Sequence, residues 1–179
     1  SKDYELPEDS DANNVYLVSV NFSDDLNTTS QEVEISVTNI NDNNPVITSS
    51  ASFTVEENQT AISTLTASDA DNDNLTFSIS AGDSSAFEIT DSGVLTFKEP
   101  PNFEVKNTYT ITASVTDGTN SASQSVAINI SNVNEAPVWN LAAQSFEYQE
   151  NTFNVESIDV PDDVSDEDGD SLTYSLTGE

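Results

Sequence analysis

The stretch VYLVSVNFSDDLNTTSQEVEISVTNIN (15–41) returns as TYTITASVTDGTNSASQSVAINISNVN (108–134). Tyr16 aligns with Tyr109, Asp24 with Asp117, Val33 with Val126 and Asn39 with Asn132, each pair 93 positions apart. FTVEEN and FEYQEN follow at the same offset, with Phe53 against Phe146 and Glu57 against Glu150. DADNDNLTFSIS then matches DEDGDSLTYSLT with Asp69 against Asp166, 97 apart, so the later copy holds about four extra residues between its first two strands. A repeat of this length decides the organisation before any local reading. We expect a tandem array: the C-terminal half of a repeat over 1–44, a complete repeat over 45–137, and the N-terminal half of another over 138–179. A copy of roughly 90–100 residues suits one small β-sandwich.

Within each copy apolar residues alternate. Tyr109, Ile111, Ala113 and Val115 share one face, as do Val126, Ile128 and Ile130. The first half repeats this with Tyr16, Val18, Val20 and Phe22, then Val33, Ile35 and Val37. Period two predicts half-buried antiparallel strands. Turn stretches such as DSG and TDGTN separate the runs. Seven strands are expected in the complete copy, near 52–55, 61–67, 75–80, 86–89, 94–98, 108–116 and 123–131, and no segment has a helical period. The fold class is all-β, with tandem Greek-key sandwiches.

Charge narrows the function. The chain has 33 acidic and 3 basic residues in 179, a formal net charge of −30. Lys2, Lys98 and Lys106 cannot neutralise it. Self-repulsion of this size opposes compactness unless counter-ions bind. Nucleic acid needs a basic footprint and is excluded as a partner. Cys, His and Met are absent, which removes thiol nucleophiles, imidazole bases and the usual zinc ligands. No run of 18 apolar residues offers a membrane span, and SKDYELPEDS has no signal-peptide apolar region. An exported protein would therefore be the parent of this segment.

The acids gather at strand ends and at the joins between copies, NINDNNP (39–45) and NVNEAP (132–137). DADNDN (69–74) puts three aspartates and two asparagines into six residues. Calcium suits such a pattern, because it takes six to eight oxygens at about 2.3–2.6 Å from carboxylates, amides and carbonyls. Magnesium demands tighter octahedral geometry and keeps its waters. An EF-hand loop would need Gly at its sixth position and Glu at its twelfth. Asn74 and Ser80 stand there, and Ser171 and Thr177 in the later copy, so that reading fails.

The motifs together resemble the cadherin repeat, most closely the cadherin-like repeats of large bacterial surface adhesins. The family linker D-x-N-D-N-x-P appears as NINDNNP, departing only at Asn39. The acid-Asn pair after the first strand appears as EEN with Glu57 and QEN with Glu150. D-x-E appears as Asp3 and Glu5, and weakened as Asn102 and Glu104. D-x-D appears as Asp69 and Asp71, and as Asp166 and Asp168. The late Asp appears as Asp117 and, in the first half, Asp24. The resemblance implies Ca²⁺ at each join. The first set is Asp3, Glu5, Asn41, Asp42, Asn43, Asp69, Asp71 and Asp117. The second is Glu57, Asn102, Glu104, Asn134, Glu135, Asp166 and Asp168. The second join departs more, with Asn102 for Asp and Ala136 for Asn, and is expected to bind fewer ions or bind them more weakly.

Asp73 and Asp170 are read as hydrating or capping their turns and stand outside the sets. Asp24 is assigned to a join further upstream. Trp139 and Tyr148 are expected to pack in a core or between domains, with sugar stacking the lesser reading. Paired carboxylates invite a glycosidase, but these lie along a repeat without cleft-forming loops, so no catalytic residue is assigned and no enzyme is expected. The resemblance implies a calcium-rigidified extender segment of an extracellular bacterial adhesin, whose partners are Ca²⁺ and its neighbouring repeats. Two alternatives stay open: direct homophilic or polysaccharide recognition by the repeats, and an accessory module of a secreted carbohydrate-active enzyme.

Overall fold

A computed structural model describes residues 2–139 and 164–175. Glu150 and Tyr148 lie outside the described residues. The first half copy forms one hairpin, β1 (Val15–Ser23) with β2 (Thr28–Ser36). The complete copy holds β3 (Val46–Ile47), β4 (Ser52–Glu56), β5 (Ala61–Thr64), β6 (Ala67–Ser68) and β7 (Thr76–Gly82). A single 3₁₀ turn at Ser84–Ala86 precedes β8 (Phe87–Ile89), β9 (Val94–Phe97), β10 (Thr108–Thr116) and β11 (Ser121–Ser131). β12 (Val138–Trp139) and β13 (Val164–Ser165) open the third copy.

Two sheets make the central sandwich, a four-stranded one in the order β4-β11-β10-β7 and a three-stranded one in the order β5-β9-β8. The alternation predicted its core. Ile111, Ala113, Val115, Val126 and Ile128 are fully buried, against Leu65, Phe87, Leu95 and Phe97 of the opposing layer. Phe87 and Phe97 lie 4.5 Å apart between ring centroids, and Tyr109 meets both edge-on.

Two differences from the sequence reading have clear causes. The expected strand over 61–67 is split, because β5 pairs with β9 while β6 pairs with β3. Leu65 is 1 % exposed and its N–H bonds the Gly93 carbonyl, so the chain crosses between layers there. In addition, β4 runs parallel to β11 whereas the other pairs are antiparallel. Alternation reports which side chains share a face, and not which way the neighbouring strand runs.

Equivalent positions of the two hairpins pair in the same register. Tyr16 pairs with Ile35 and Val18 with Val33, as Tyr109 pairs with Ile128 and Ile111 with Val126. Val138 pairs with Ser165 as Val46 pairs with Ser68. The face that is core in β10 and β11 is bare in the first hairpin, where Val18, Phe22 and Ile35 are exposed. Trp139, expected inside a core or domain contact, is 52 % exposed among the described residues. No helix among the described residues is long and apolar enough to cross a membrane.

Candidate metal centres

Asp71 organises the first join. It is 4 % exposed, and its Oδ2 accepts the backbone N–H groups of Asn43 at 2.8 Å and Asp42 at 3.2 Å. The Asn43 side-chain amide donates to Asp71 Oδ1 at 3.0 Å, and the Asn39 amide to the Asp71 carbonyl at 2.8 Å. These bonds explain the asparagine-rich linker: its donors hold one carboxylate of the next repeat in place. Asn72 adopts φ 61, a conformation Asn tolerates better than most residues. It folds the loop so that Asp69 Oδ1 accepts the Asp71 N–H at 2.9 Å.

Around Asp71, acidic groups crowd. Oxygens of Glu5, Asp42 and Asp71 lie within 4.8 Å of one another, and so do oxygens of Asp69, Asp71 and Asp73. Four of the surrounding oxygens are buried without a hydrogen-bond partner: Glu5 Oε1, Asp69 Oδ2, Asp73 Oδ2 and Asp117 Oδ2. Burial of a carboxylate without a partner is costly. None of the lysines relieves it. Lys2 pairs with Glu8, Lys106 with Asp83, and Lys98 donates to the Ser85 carbonyl.

Electrostatics follow from this crowding. Burial pushes the Glu5 carboxyl above its ordinary range, and Asp71 beside it adds to the rise. Burial also raises Asp73, reinforced by Asp69, Asp71 and Asp117. Asp71 itself is pushed up by burial, but the Asn43 backbone and side-chain donors outweigh this and hold it low. Asp117 behaves alike: burial raises it, and the Asn120 and Thr119 N–H groups more than offset this.

The second join repeats the plan with different atoms. The Glu135 N–H donates to Asp168 Oδ2 at 2.7 Å, as Asp42 does to Asp71. Glu57 is 3 % exposed and accepts the Phe103 N–H at 2.8 Å and the Val133 N–H at 2.9 Å. Oxygens of Glu57, Glu104 and Glu135 lie within 4.8 Å of one another, as do those of Asp166, Asp168 and Asp170. Glu135 Oε2 and Asp168 Oδ1 are buried without partners. Burial raises the Glu135 carboxyl; the Asn58 amide opposes this, while Glu57, Asp168 and Glu104 add to it.

Of the acids named from the sequence for the two joins and described here, Asp3 and Asp117 join none of these carboxylate groups. Asp3 is exposed and caps its own turn, accepting the Glu5 N–H at 3.0 Å. Asn102 spends its Oδ1 on the Val105 N–H at 2.8 Å and its amide on Glu167. The Asn134 amide donates to the Glu135 carbonyl at 3.0 Å. Asn41 and Asn43 are held by Asn120, whose amide reaches Asn41 Oδ1 and the Asn43 carbonyl. Conversely, Asp73 and Asp170, set aside from the sequence, fall within 4.8 Å groups. Their position in a third alternate slot of D-x-D-x-D was the available signal. Asn58, which donates to Glu135 Oε1, carried none.

The Cadherin domain family model matches residues 51–132. Protocadherin Fat 4 of mouse is 36% identical over 132 residues, covering 67% of this chain and 3% of that protein. Its human counterpart is 35% identical over 155 residues, covering 80% and 3%. The chain thus spans about 3% of the length of these relatives. Among solved structures, Protocadherin Gamma B2 extracellular cadherin domains 1-5 superposes with a TM-score of 0.60 at 24% identity, over 71% of this chain and 28% of that one. Mouse Cadherin-23 EC22-24 gives 0.57 at 23%, over 70% and 44%. At those identities the structural likeness is one of fold. The family match and the all-β sandwich together make residues 51–132 a cadherin-like repeat.

Proposed function

We propose that this chain is a calcium-binding, calcium-rigidified extender segment of an extracellular cell-surface adhesin, with Ca²⁺ held at the joins 39–45 and 132–137. The observation that carries the reading is the convergence of unpartnered, buried carboxylate oxygens at both joins with no lysine in reach. A hard cation of high coordination number suits all-oxygen donors of this kind. At the first join Glu5, Asp42, Asp69, Asp71, Asp73 and Asp117 supply them, with Asn41 and Asn43 in the linker. At the second, Glu57, Glu104, Glu135, Asp166, Asp168 and Asp170 do. Asp3, Asn102 and Asn134 complete the sequence-derived sets, for the bonds they make leave each an oxygen lone pair.

The mechanism is mechanical. Glu5 precedes the linker, Asp42 belongs to it, and Asp71 follows it, yet their oxygens share one small volume. Without a cation these like charges repel, and the angle between repeats relaxes. A bound cation turns the repulsion into a shared bond that fixes the angle. Binding to ligands assembled only in the folded chain adds to folding free energy. The extracellular location rests on the family's usual setting. The bacterial assignment rests on the resemblance of the repeat motifs, since the relatives named above come from mouse and human.

Thermal melting tests the reading. Millimolar CaCl₂ should raise Tm more than equal MgCl₂ or NaCl of matched ionic strength. Equal shifts with all three salts would reduce the effect to charge screening and sink the proposal.

A further inference from the structure

Asn120 closes the turn between β10 and β11, and both ends of its backbone are fixed. Its N–H donates to Asp117 Oδ1 at 2.6 Å, and its carbonyl accepts the Thr116 hydroxyl at 2.7 Å. The side chain is thereby aimed at the linker. Its amide nitrogen donates to Asn41 Oδ1 at 2.8 Å and to the Asn43 carbonyl at 3.0 Å. The amide orientation follows from chemistry, because a backbone carbonyl only accepts, so nitrogen must face it. One side chain therefore spends both of its hydrogens on linker oxygens.

The first copy contains the same turn. Asn27 stands 93 residues earlier. Its N–H donates to Asp24 Oδ1 at 2.8 Å and its carbonyl accepts the Asp24 N–H at 3.1 Å. Asp117 and Asn120 make the same two bonds. The turn D-x-x-N is thus a repeated unit, and its Asn is free of the sandwich core in both copies.

We propose that Asn120 is a positioning residue of the first join, a neutral latch that keeps the oxygens of Asn41 and Asn43 beside Asp117 before a cation arrives. This rests on the calcium reading above and deepens it. Carboxylates that repel one another would otherwise push the linker outward, and each calcium would have to gather it again. A neutral amide resists that motion without adding charge. Asn120 acts through the linker asparagines and contacts no cation.

The test compares Asn120→Ala with Thr119→Ala, an exposed neighbour in the same turn, in the full chain. In EDTA, hydrogen exchange at the Asn43 N–H should accelerate in Asn120→Ala only. Protection at the residue-120 N–H should persist, since its bond to Asp117 needs no side chain. In a CaCl₂ titration by calorimetry, the midpoint should rise roughly 3- to 10-fold, the scale of one or two lost amide bonds, with the number of ions unchanged. Unchanged exchange with an unchanged midpoint, or a tighter midpoint, overturns the latch. If Asn120→Ala does not fold, Asn120→Ser shortens the side chain out of reach of the linker without adding charge and repeats the EDTA measurement. A wild-type chain that takes up no calcium would remove the calcium reading, and the EDTA comparison would then decide the latch alone.

Discussion

The backbone N–H of Asn43 donates to Oδ2 of Asp71 at 2.8 Å, so the first linker is tied to the following repeat by a charged acceptor. Asp71 thus has two tasks. It anchors the linker, and it lends an oxygen to both carboxylate groups of the join.

Removing it should separate the join from the fold. Asp71→Ala or Asp42→Ala should leave the central sandwich folded, because neither belongs to the hydrophobic core built around Ile111, Leu95 and Val126. In calcium, small-angle scattering should show a broader distance distribution for either variant than for wild type. Asp71→Ala should have the larger effect, since it also removes the carboxylate that accepts from the Asn43 backbone and side chain and from the Asp42 N–H. A distribution identical to wild type would show that these carboxylates do not set the angle.

The second join should be improvable. Asn102 is occupied by Val105 and Glu167, and Ala136 offers no side-chain oxygen or donor where the first linker has Asn43. Calorimetry on wild type should resolve two classes of calcium site, the weaker belonging to residues 57–168. The double variant Asn102→Asp with Ala136→Asn should tighten the weaker class by about tenfold, the scale of one additional charge-assisted contact. Tightening of the stronger class instead would reverse the assignment.

Acid should act in opposite directions with and without calcium. Glu5 and Glu135 are raised above an ordinary 4.5, and Asp73 above 3.8, chiefly by burial. A carboxyl raised in the folded state binds its proton more tightly there than in the unfolded chain. Stability therefore increases as pH falls through the raised value toward the ordinary one. Asp71 and Asp117 are held below 3.8, with their donors outweighing burial, and Asp83 is lowered by its bond to Lys106. Their contribution is present above 3.8 and is lost as pH falls through the lowered values. In EDTA, Tm should climb on acidification from neutral to about 4.5 and fall below about 3.8. In saturating calcium it should only fall, because protons then compete for occupied oxygens. A monotonic fall in EDTA as well would mean that the crowded carboxylates are not strained.

Much of this architecture was legible because repetition and alternation are properties of the sequence itself. Tyr16 and Tyr109, or Val33 and Val126, announce equivalent registers. The break at Leu65 was not legible, since a run of β-formers looks the same whether it stays in one sheet or crosses to another. The sites divide similarly. Glu5, Asp42, Asp69, Asp71, Glu57 and Glu135, which the structure gathers into groups, could be named beforehand because acids in fixed order are visible as letters. Asp73 was set aside, for sequence cannot tell a solvated turn acid from one whose oxygen is buried without a partner. Nor can sequence see that the Asn102 oxygen also accepts the Val105 N–H.

The parallel pairing of β4 with β11 has a consequence under load. Five residue pairs, Ser52 to Glu56 against Ala127 to Ser131, join the first long strand of the sandwich to its last. Because the two run the same way, the chain enters at one end of the pair and leaves at the other. Tension applied through the flanking linkers therefore drives the strands past each other lengthwise. The ladder's hydrogen bonds resist together in shear, and cannot be unzipped one at a time from an end. A pull along the chain meets this clamp before it reaches the core behind it.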